Sequence, residues 1–599
     1  VWGYPAFLPL QAEAVRAVLD GRDSLVVLPT GGGKSLCYQV PAVHLGGLAV
    51  VVSPLIALMK DQVDGLRQAG VPAAYLNSSQ SPGERAAVER ELASARVQLL
   101  YVAPERLQAP GFAERLRRAR PAFFAVDEAH CISQWGHDFR PEYRQLRVLR
   151  DMFAGAAVHA YTATATPQVR DDIVAELKLA DPVVLVGRFD RPNLVYRVRP
   201  RTRRLEQVLA VVDRHRGRGG IVYCPRRADV DELTAALLRR GVRAVSYHAG
   251  LGDAERRASQ DAFVNERADV VVATVAFGMG IDRSNVRYVV HAGMPKSVEH
   301  YQQEAGRAGR DGLEAECILL WAAGDYAFWR SLLEAEPAAP PGALRKLNAM
   351  FRFCQEAACR HRALSRYFGQ DLEAAACRAC DVCLGEVDAV PGSEAIARTI
   401  LKAVAELRGR FGAAYVADVL TGAVTERLRA LGHQRLSTYG ALPDAGPRQV
   451  RLWLDQLVGQ GHLGRGGSAE YPTVTLTASG ARVLRGETTA GPLSRPAPVR
   501  AARTAAPASL AGEAIGTDDR ALFEALRAVR RAVATDRGVP PYLVFSDAAL
   551  HDMARRRPLT PAAFRQVKGV GEWKCEEFGE RFLAAIRAHL AAPPAADGA

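Results

Sequence analysis

From residue 22 to about 335 the chain repeats one pattern: a short apolar run, a polar turn, then a stretch with helical spacing. Residues 24–28, 48–52, 97–102 and 123–126 are such runs, and 221–224, 270–273 and 288–291 repeat the scheme. Strands that alternate with helices predict parallel sheets covered by helices on both faces. The stretch is too long for one such sheet, and each half carries its own motif cluster. It therefore predicts two similar α/β domains, 1–189 and 190–335, joined near residues 188–192.

The chain has 599 residues, and ~150 residues per domain implies about four units. Residues 336–393 read as a helical, Cys-rich module, and 394–486 mix amphipathic helices with a short β-like end at 474–476. Residues 487–515 are rich in Pro, Ala, Thr and Arg without an apolar period, which predicts a flexible linker. Residues 516–591 regain helical periodicity as a small all-α unit, expected to be a mobile tail.

Hydrophobic residues at 48% and charged residues at 24% exclude wholesale disorder. No run approaches the ~18 apolar residues that span a bilayer, and mean hydropathy is −0.07. The first ten residues lack a secretion signal, so a cytoplasmic, nucleoid-associated protein with no membrane partner is expected. The sequence opens at Val1 inside an apparent motif, so a short preceding stretch is expected too. Lys+Arg minus Asp+Glu is 78 − 65 = +13, which makes a polyanionic partner plausible.

Leu28-Pro29-Thr30-Gly31-Gly32-Gly33-Lys34-Ser35 follows the first strand run. Glycines let backbone N–H groups curl around phosphate oxygens, and a following helix N-terminus adds positive dipole. Lys34 would neutralise β/γ-phosphate charge and Ser35 would hold Mg²⁺. Asp127-Glu128-Ala129-His130 follows the strand run 123–126. An acidic strand end suits a phosphate-bound Mg²⁺, so Asp127 is assigned to the metal and Glu128 to the attacking water. Arg307 and Arg310, in Gln303-Glu304-Ala305-Gly306-Arg307-Ala308-Gly309-Arg310, would meet the γ-phosphate with bidentate donors. The small residues between them suggest a close approach to another surface, which places the site between the two α/β domains. Of ten cysteines, Cys354, Cys359, Cys377, Cys380 and Cys383 cluster. Overlapping C-x-x-C steps plus a distant thiolate suit structural Zn²⁺. Spacing alone leaves Cys354 and Cys359 in competition for the remaining position.

In this order, with Ser53-Pro54-Leu55 to Gln62, Ala103-Pro104-Glu105, Thr162-Ala163-Thr164 and Thr274 to Asp282 between them, the motifs resemble the RecQ family of superfamily 2 DNA helicases. The resemblance implies two RecA-like domains, a zinc module, a winged-helix domain and an HRDC domain. It implies an ATP- and Mg²⁺-dependent enzyme that moves 3′→5′ on single-stranded DNA and unwinds duplexes in recombination, replication and repair. Forked or 3′-tailed DNA and a single-strand-binding protein are the partners it implies. By resemblance Gln11 reads adenine, His130 joins the catalytic set and Asp282 the nucleotide-binding one. Cys359 is the first zinc ligand, and Cys354 is left free. The segment with Trp135, His137, Phe139 and Arg140 couples DNA to hydrolysis, since aromatic faces stack bases and Arg pairs phosphate. Arg427 and Arg429 of the winged helix and Lys568 at a glycine turn of the HRDC unit are expected at DNA phosphates. The chain departs from the family's Phe-Arg-Pro-Gly-Gln by carrying Leu8 and Leu10 in the Arg and Gly places. An RNA helicase, a translocase that does not unwind, and a DNA-binding scaffold without turnover stay open at this level.

Overall fold

The computed structural model describes residue 2 and residues 6–591, apart from 137, 154, 275–276, 278–282, 337–339, 357, 373–375, 468–471, 492 and 497–516. The first domain holds β1 (Ser24–Val27), β2 (Ala49–Val52), β3 (Ala73–Leu76), β4 (Leu99–Val102), β5 (Phe123–Val126), β6 (Ala157–Thr162) and β7 (Val183–Val186). They pair in parallel in the order β3-β4-β2-β5-β6-β1-β7. Residues β1, β2, β4 and β5 contribute are buried along the whole strand. An unalternated apolar run can be satisfied only this way, with both faces packed. Leu25 and Val27 enter one core with Phe124 and Val126, while Val26 and Leu28 enter the other with Ala125.

The second domain holds β8 (Leu194–Pro200), β9 (Gly219–Tyr223), β10 (Ala244–Tyr247), β11 (Val270–Ala273), β12 (Val286–His291) and β13 (Ala315–Trp321). The order is β10-β11-β9-β12-β13-β8, again parallel. The Cys-rich module, with helices Ala343–Gln355 and Arg360–Tyr367, covers the β8 edge. Tyr196 donates its N–H to the Ala379 carbonyl (3.0 Å), and Asp381 donates back to the Tyr196 carbonyl (2.9 Å). An edge that would otherwise offer unpaired backbone groups is thereby closed.

The fourth unit packs helices Ser393–Glu406, Ala413–Thr421 and Gly446–Gly459 around one core. Strand β14 (Val387–Ala389) precedes them, and the hairpin β15 (Leu463–Gly467)–β16 (Pro472–Leu476) follows. Strand β17 (Ser494–Pro496) pairs antiparallel with β14. Its residues fall inside the stretch expected to be linker, so the linker's first part is a paired strand; 497–516 lie outside the described residues.

The C-terminal unit runs from helix Thr517–Arg537 to helix Glu572–Ala591 around its own core. The expectation of a mobile tail is corrected by its contacts with the second α/β domain. Arg530, fully buried, bonds Glu266 of that domain at 2.8 Å and Asp547 of its own unit at 2.7 Å. Asn285 donates to Asp547 (3.4 Å), and the Arg218 guanidinium lies 5.6 Å over the Phe523 ring. A buried arginine holds its charge only when paired, which makes this a defined contact surface. No helix among the described residues is long and apolar enough to cross a membrane.

Candidate active site and metal centre

The carboxyl ends of β1, β5 and β6 lie side by side, where a parallel sheet opens its binding crevice. The loop after β1 turns through Gly31 (φ +83°) and Gly33 (φ +71°) into helix Lys34–Leu45. Lys34 Nζ reaches back to the Leu28 carbonyl at 3.4 Å. Gln11 is buried against the same loop. Its amide donates to the Gly33 and Gly32 carbonyls (3.0 and 3.3 Å) and its oxygen accepts the Leu8 N–H (2.8 Å). Thr30, Gly31, Gly32 and Ser35 complete the cradle.

After β5, Asp127 is buried and accepts the Glu128 N–H on its own side chain at 2.9 Å. Burial raises Asp127 to about 7, with the neighbouring Glu128 charge adding to the effect and Lys34 opposing it. Burial also pushes Glu128 up, but His130, Lys34 and Arg307 outweigh it and hold that carboxyl at about 2. His130 stands 3.3 Å from Glu128 and 2.9 Å from the Thr162 hydroxyl at the end of β6. Burial disfavours its charge, yet Cys131 and Glu128 raise it to about 10. The two acids are thus driven apart: His130, Lys34 and Arg307 favour the ionised form of Glu128, while burial beside that charge pushes the Asp127 carboxyl up and opposite charge nearby would bring it down.

Arg307 and Arg310 face this cradle from the second domain. Arg307 lies close enough to lower Glu128 electrostatically, and a Cβ on Gly31 would meet the Arg310 side chain at 3.7 Å. A Cβ on Gly306, just before Arg307, would stand 3.2 Å from Thr30 Cβ, so the close approach to the phosphate loop is made by this glycine, whereas Gly309, between the arginines, packs on Asn193 and Leu313 of its own domain. Sequence reasoning missed Arg191. Its guanidinium donates to the carbonyls of Thr30 (3.1 Å), Gly306 (2.9 Å), Ala308 (3.0 Å) and Gly309 (2.7 Å). The available signal was the Asp190-Arg191-Pro192-Asn193 string at the domain junction. Asp282 lies outside the described residues.

The Sγ atoms of Cys359, Cys377, Cys380 and Cys383 lie within 4.8 Å of one another. Four thiolates at such spacing fit Zn²⁺ with no open position. Cys354 is outside the group, buried among apolar side chains that push its thiol up. Arg360 supports the cluster by bonding Asp381 at 2.9 Å, both side chains being buried.

Among the expected DNA contacts, Trp135 lines a cleft of about 340 Å³ with Thr166, Pro167, Glu299, Lys346 and Tyr367. Arg345 lies 5.5 Å over its ring, and Lys346 donates to the Gly136 carbonyl. Phe139 carries Arg144 over its face at 5.7 Å, while Arg140 bonds Asp138 and the Pro54 carbonyl at 3.1 Å each. His137 lies outside the described residues. Arg427 is exposed above Tyr415 (5.3 Å) and Arg429 is exposed nearby. Lys568 is exposed too, but its N–H is given to Asp552 (3.0 Å). That turn offers a phosphate the lysine charge and not this amide.

The DEAD/DEAH box helicase model matches residues 8–173 and the helicase conserved C-terminal domain 201–312. RecQ zinc-binding matches 323–384, the RQC domain 393–495 and the HRDC domain 519–586. The chain is 41% identical over 591 residues to the ATP-dependent DNA helicase RecQ of Pasteurella multocida, covering 98% of this chain and 93% of that protein. The proteins of the same name from Haemophilus influenzae (40%; 99% and 95% covered) and Bacillus subtilis (39%; 98% and 97%) are similar over the same extent.

Proposed function

The chain belongs to the RecQ family and is an ATP-dependent DNA helicase of that kind, and on that premise we propose how its residues divide the work. The glycine loop 30–33 and Lys34 hold the triphosphate of ATP, and Ser35 with Asp127 holds Mg²⁺, which supplies charge neutralisation at the phosphates when bound. Glu128, kept ionised by His130, orients the attacking water. Arg307 and Arg310 meet charge that develops on the γ-phosphate, so ATP favours the closed pair of domains and its loss reopens them. Gln11 reads the adenine once its amide leaves the glycine carbonyls. The Cys359, Cys377, Cys380 and Cys383 thiolates hold Zn²⁺, and that module with the winged helix grips duplex DNA.

Trp135, Phe139 and Arg140 follow Glu128–His130 directly in the chain, which is why strand contact there can reach the acids. The single strand passes 3′→5′ across this segment, with Arg427, Arg429 and Lys568 as phosphate contacts and forked or 3′-tailed DNA as substrate. Recombination and repair are the settings this activity suits. One observation carries the reading: the turn with both arginines lies against the phosphate loop, its Gly306 within 3.2 Å of Thr30 when given a Cβ.

The test is DNA-stimulated ATP hydrolysis with strand displacement on a 3′-tailed duplex. Lys34→Ala and Glu128→Gln are each expected to lose at least about 100-fold in turnover while still binding DNA. A parent protein that binds without turnover would sink the motor, and stimulation by RNA alone would move the substrate.

A further inference from the structure

The segment 187–193 joins the two α/β domains, and it is held at almost every residue. Gly187 donates to Val27 of the first domain (2.8 Å). Its carbonyl accepts from Gln370 of the zinc module (2.9 Å), whose oxygen accepts the Phe189 N–H (2.9 Å). Phe189 stacks on Phe368 of the same module, with centroids 4.5 Å apart and planes at 14°. The Asp190 carboxylate accepts from His361 Nδ1 at 2.5 Å. Asn193 donates to the Gly309 and Leu313 carbonyls, both at 2.9 Å. Arg191 sits in the middle, on four carbonyls from both domains.

Three of those carbonyls lie in the turn just past helix Val298–Ala305, at the negative end of its dipole, which favours a cation. The fourth, Thr30, belongs to the phosphate loop. A planar guanidinium can bridge two loops with a fixed fork; an ammonium is a point charge that cannot reproduce that geometry. Helix Arg360–Tyr367 starts at Cys359 as its N-cap, carries His361 in its first turn, and is followed directly by Phe368 and Gln370. A physical chain thus runs from the metal site through one helix to the connector, and from Arg191 to both phosphate-facing loops.

We propose that Arg191 is a positioning residue for ATP turnover, setting the arginine turn 306–310 against the phosphate loop, and that the zinc module holds the connector that carries it. Arg191 touches only carbonyls, so it acts through Arg307 and Arg310. The proposal rests on the reading of those two arginines as γ-phosphate contacts.

The experiment measures kcat and KM for ATP, DNA affinity and bound zinc in Arg191→Lys, Arg191→Ala and Gln370→Ala of the full chain. Misplacing a catalytic group by about 1 Å can cost about 100-fold, so both Arg191 variants should lose at least about tenfold in kcat. KM, DNA affinity and zinc content should stay within about threefold of the parent, a split that general loss of structure does not produce. Gln370→Ala should lose kcat by a smaller factor with zinc fully retained. Arg191→Lys keeps the charge and gives a reading even if Arg191→Ala does not fold. Parental kcat in Arg191→Lys, or a loss matched by lost zinc and DNA binding, overturns the proposal. Parental kcat in Gln370→Ala removes the zinc module from it. Failure of the underlying reading looks different, because the unaltered protein would then show no DNA-stimulated hydrolysis.

Discussion

At Gly33 the backbone is left-handed, and a Cβ would come 2.3 Å from the Gln11 amide nitrogen. The conformation costs an L-residue roughly 1–2 kcal/mol, and Gln11 would also have to leave the glycine carbonyls. Gly33→Ala is therefore expected to weaken ATP binding about tenfold, equivalent to ~1.4 kcal/mol, with DNA affinity unchanged. Titration with a fluorescent nucleotide checks it, and parental affinity would mean the loop's curvature is not what holds phosphate. The same physics makes this site readable in sequence, because a left-handed turn asks for glycine and a glycine run advertises itself. Leu10 shows the converse: it sits at φ 67° in the family's glycine place, so the structure supplies the reason for the glycine while this chain bears the strain without it. Arg191 was invisible for a different reason. Its partners are carbonyls, which every residue has, so no side-chain pattern announces them.

Among the elements, β1, β2, β4, β5, β9, β11 and β12 were legible as apolar runs, while the edge strands were not, and neither were the interior β6 and β13, whose buried runs are interrupted by His159 and Glu316. β5 matches its apolar run residue for residue, whereas β7 is half-exposed and β8 carries Arg197 and Arg199 among its apolar residues, which blurs both against loop. β17 is three residues long and lives on its pairing with β14, information that lies more than a hundred residues away. The zinc module was readable through its thiols, but its grip on β8 was not, since it runs through Asp381. That carboxylate accepts from Val198 N–H (2.9 Å) and from Arg360, all out of solvent. Arg360→Ala would strand a buried charge, a loss of about 3–5 kcal/mol. A lower melting temperature and faster zinc release to a colorimetric chelator are the expected readings; zinc held as firmly as in the parent would show that Asp381 is satisfied without Arg360.

For the whole molecule, the question is when the C-terminal unit stays on the second α/β domain. His551 bears on that contact: its ring stacks on Phe523 at 4.0 Å, and Arg218 of the second domain lies over the other ring of the pair. Burial lowers His551 to about 4; Arg218 and Arg287 act in the same direction, while Asp547 and Glu524 act against it. Below pH ~6.5 a freed or unfolded histidine takes a proton that the docked one refuses until about pH 4. Release removes Arg218 and Arg287, both of which lower His551, while its stack on Phe523 stays within the unit, so the released state binds more protons in that window and docking strengthens as pH rises through it. Asp547 cannot produce the same slope. Burial raises it, but Arg530, Arg287 and Arg527 outweigh that and hold it at about 2, so its contribution is lost only below the carboxylate range. The contact is thus expected to be full at pH ~7.5 and weakened at pH ~5.5. Small-angle scattering should show the parent expanding between those values, and His551→Gln, which cannot take the proton, expanding less. Equal expansion in both proteins would assign the pH dependence to another group and remove His551 from the contact's energetics.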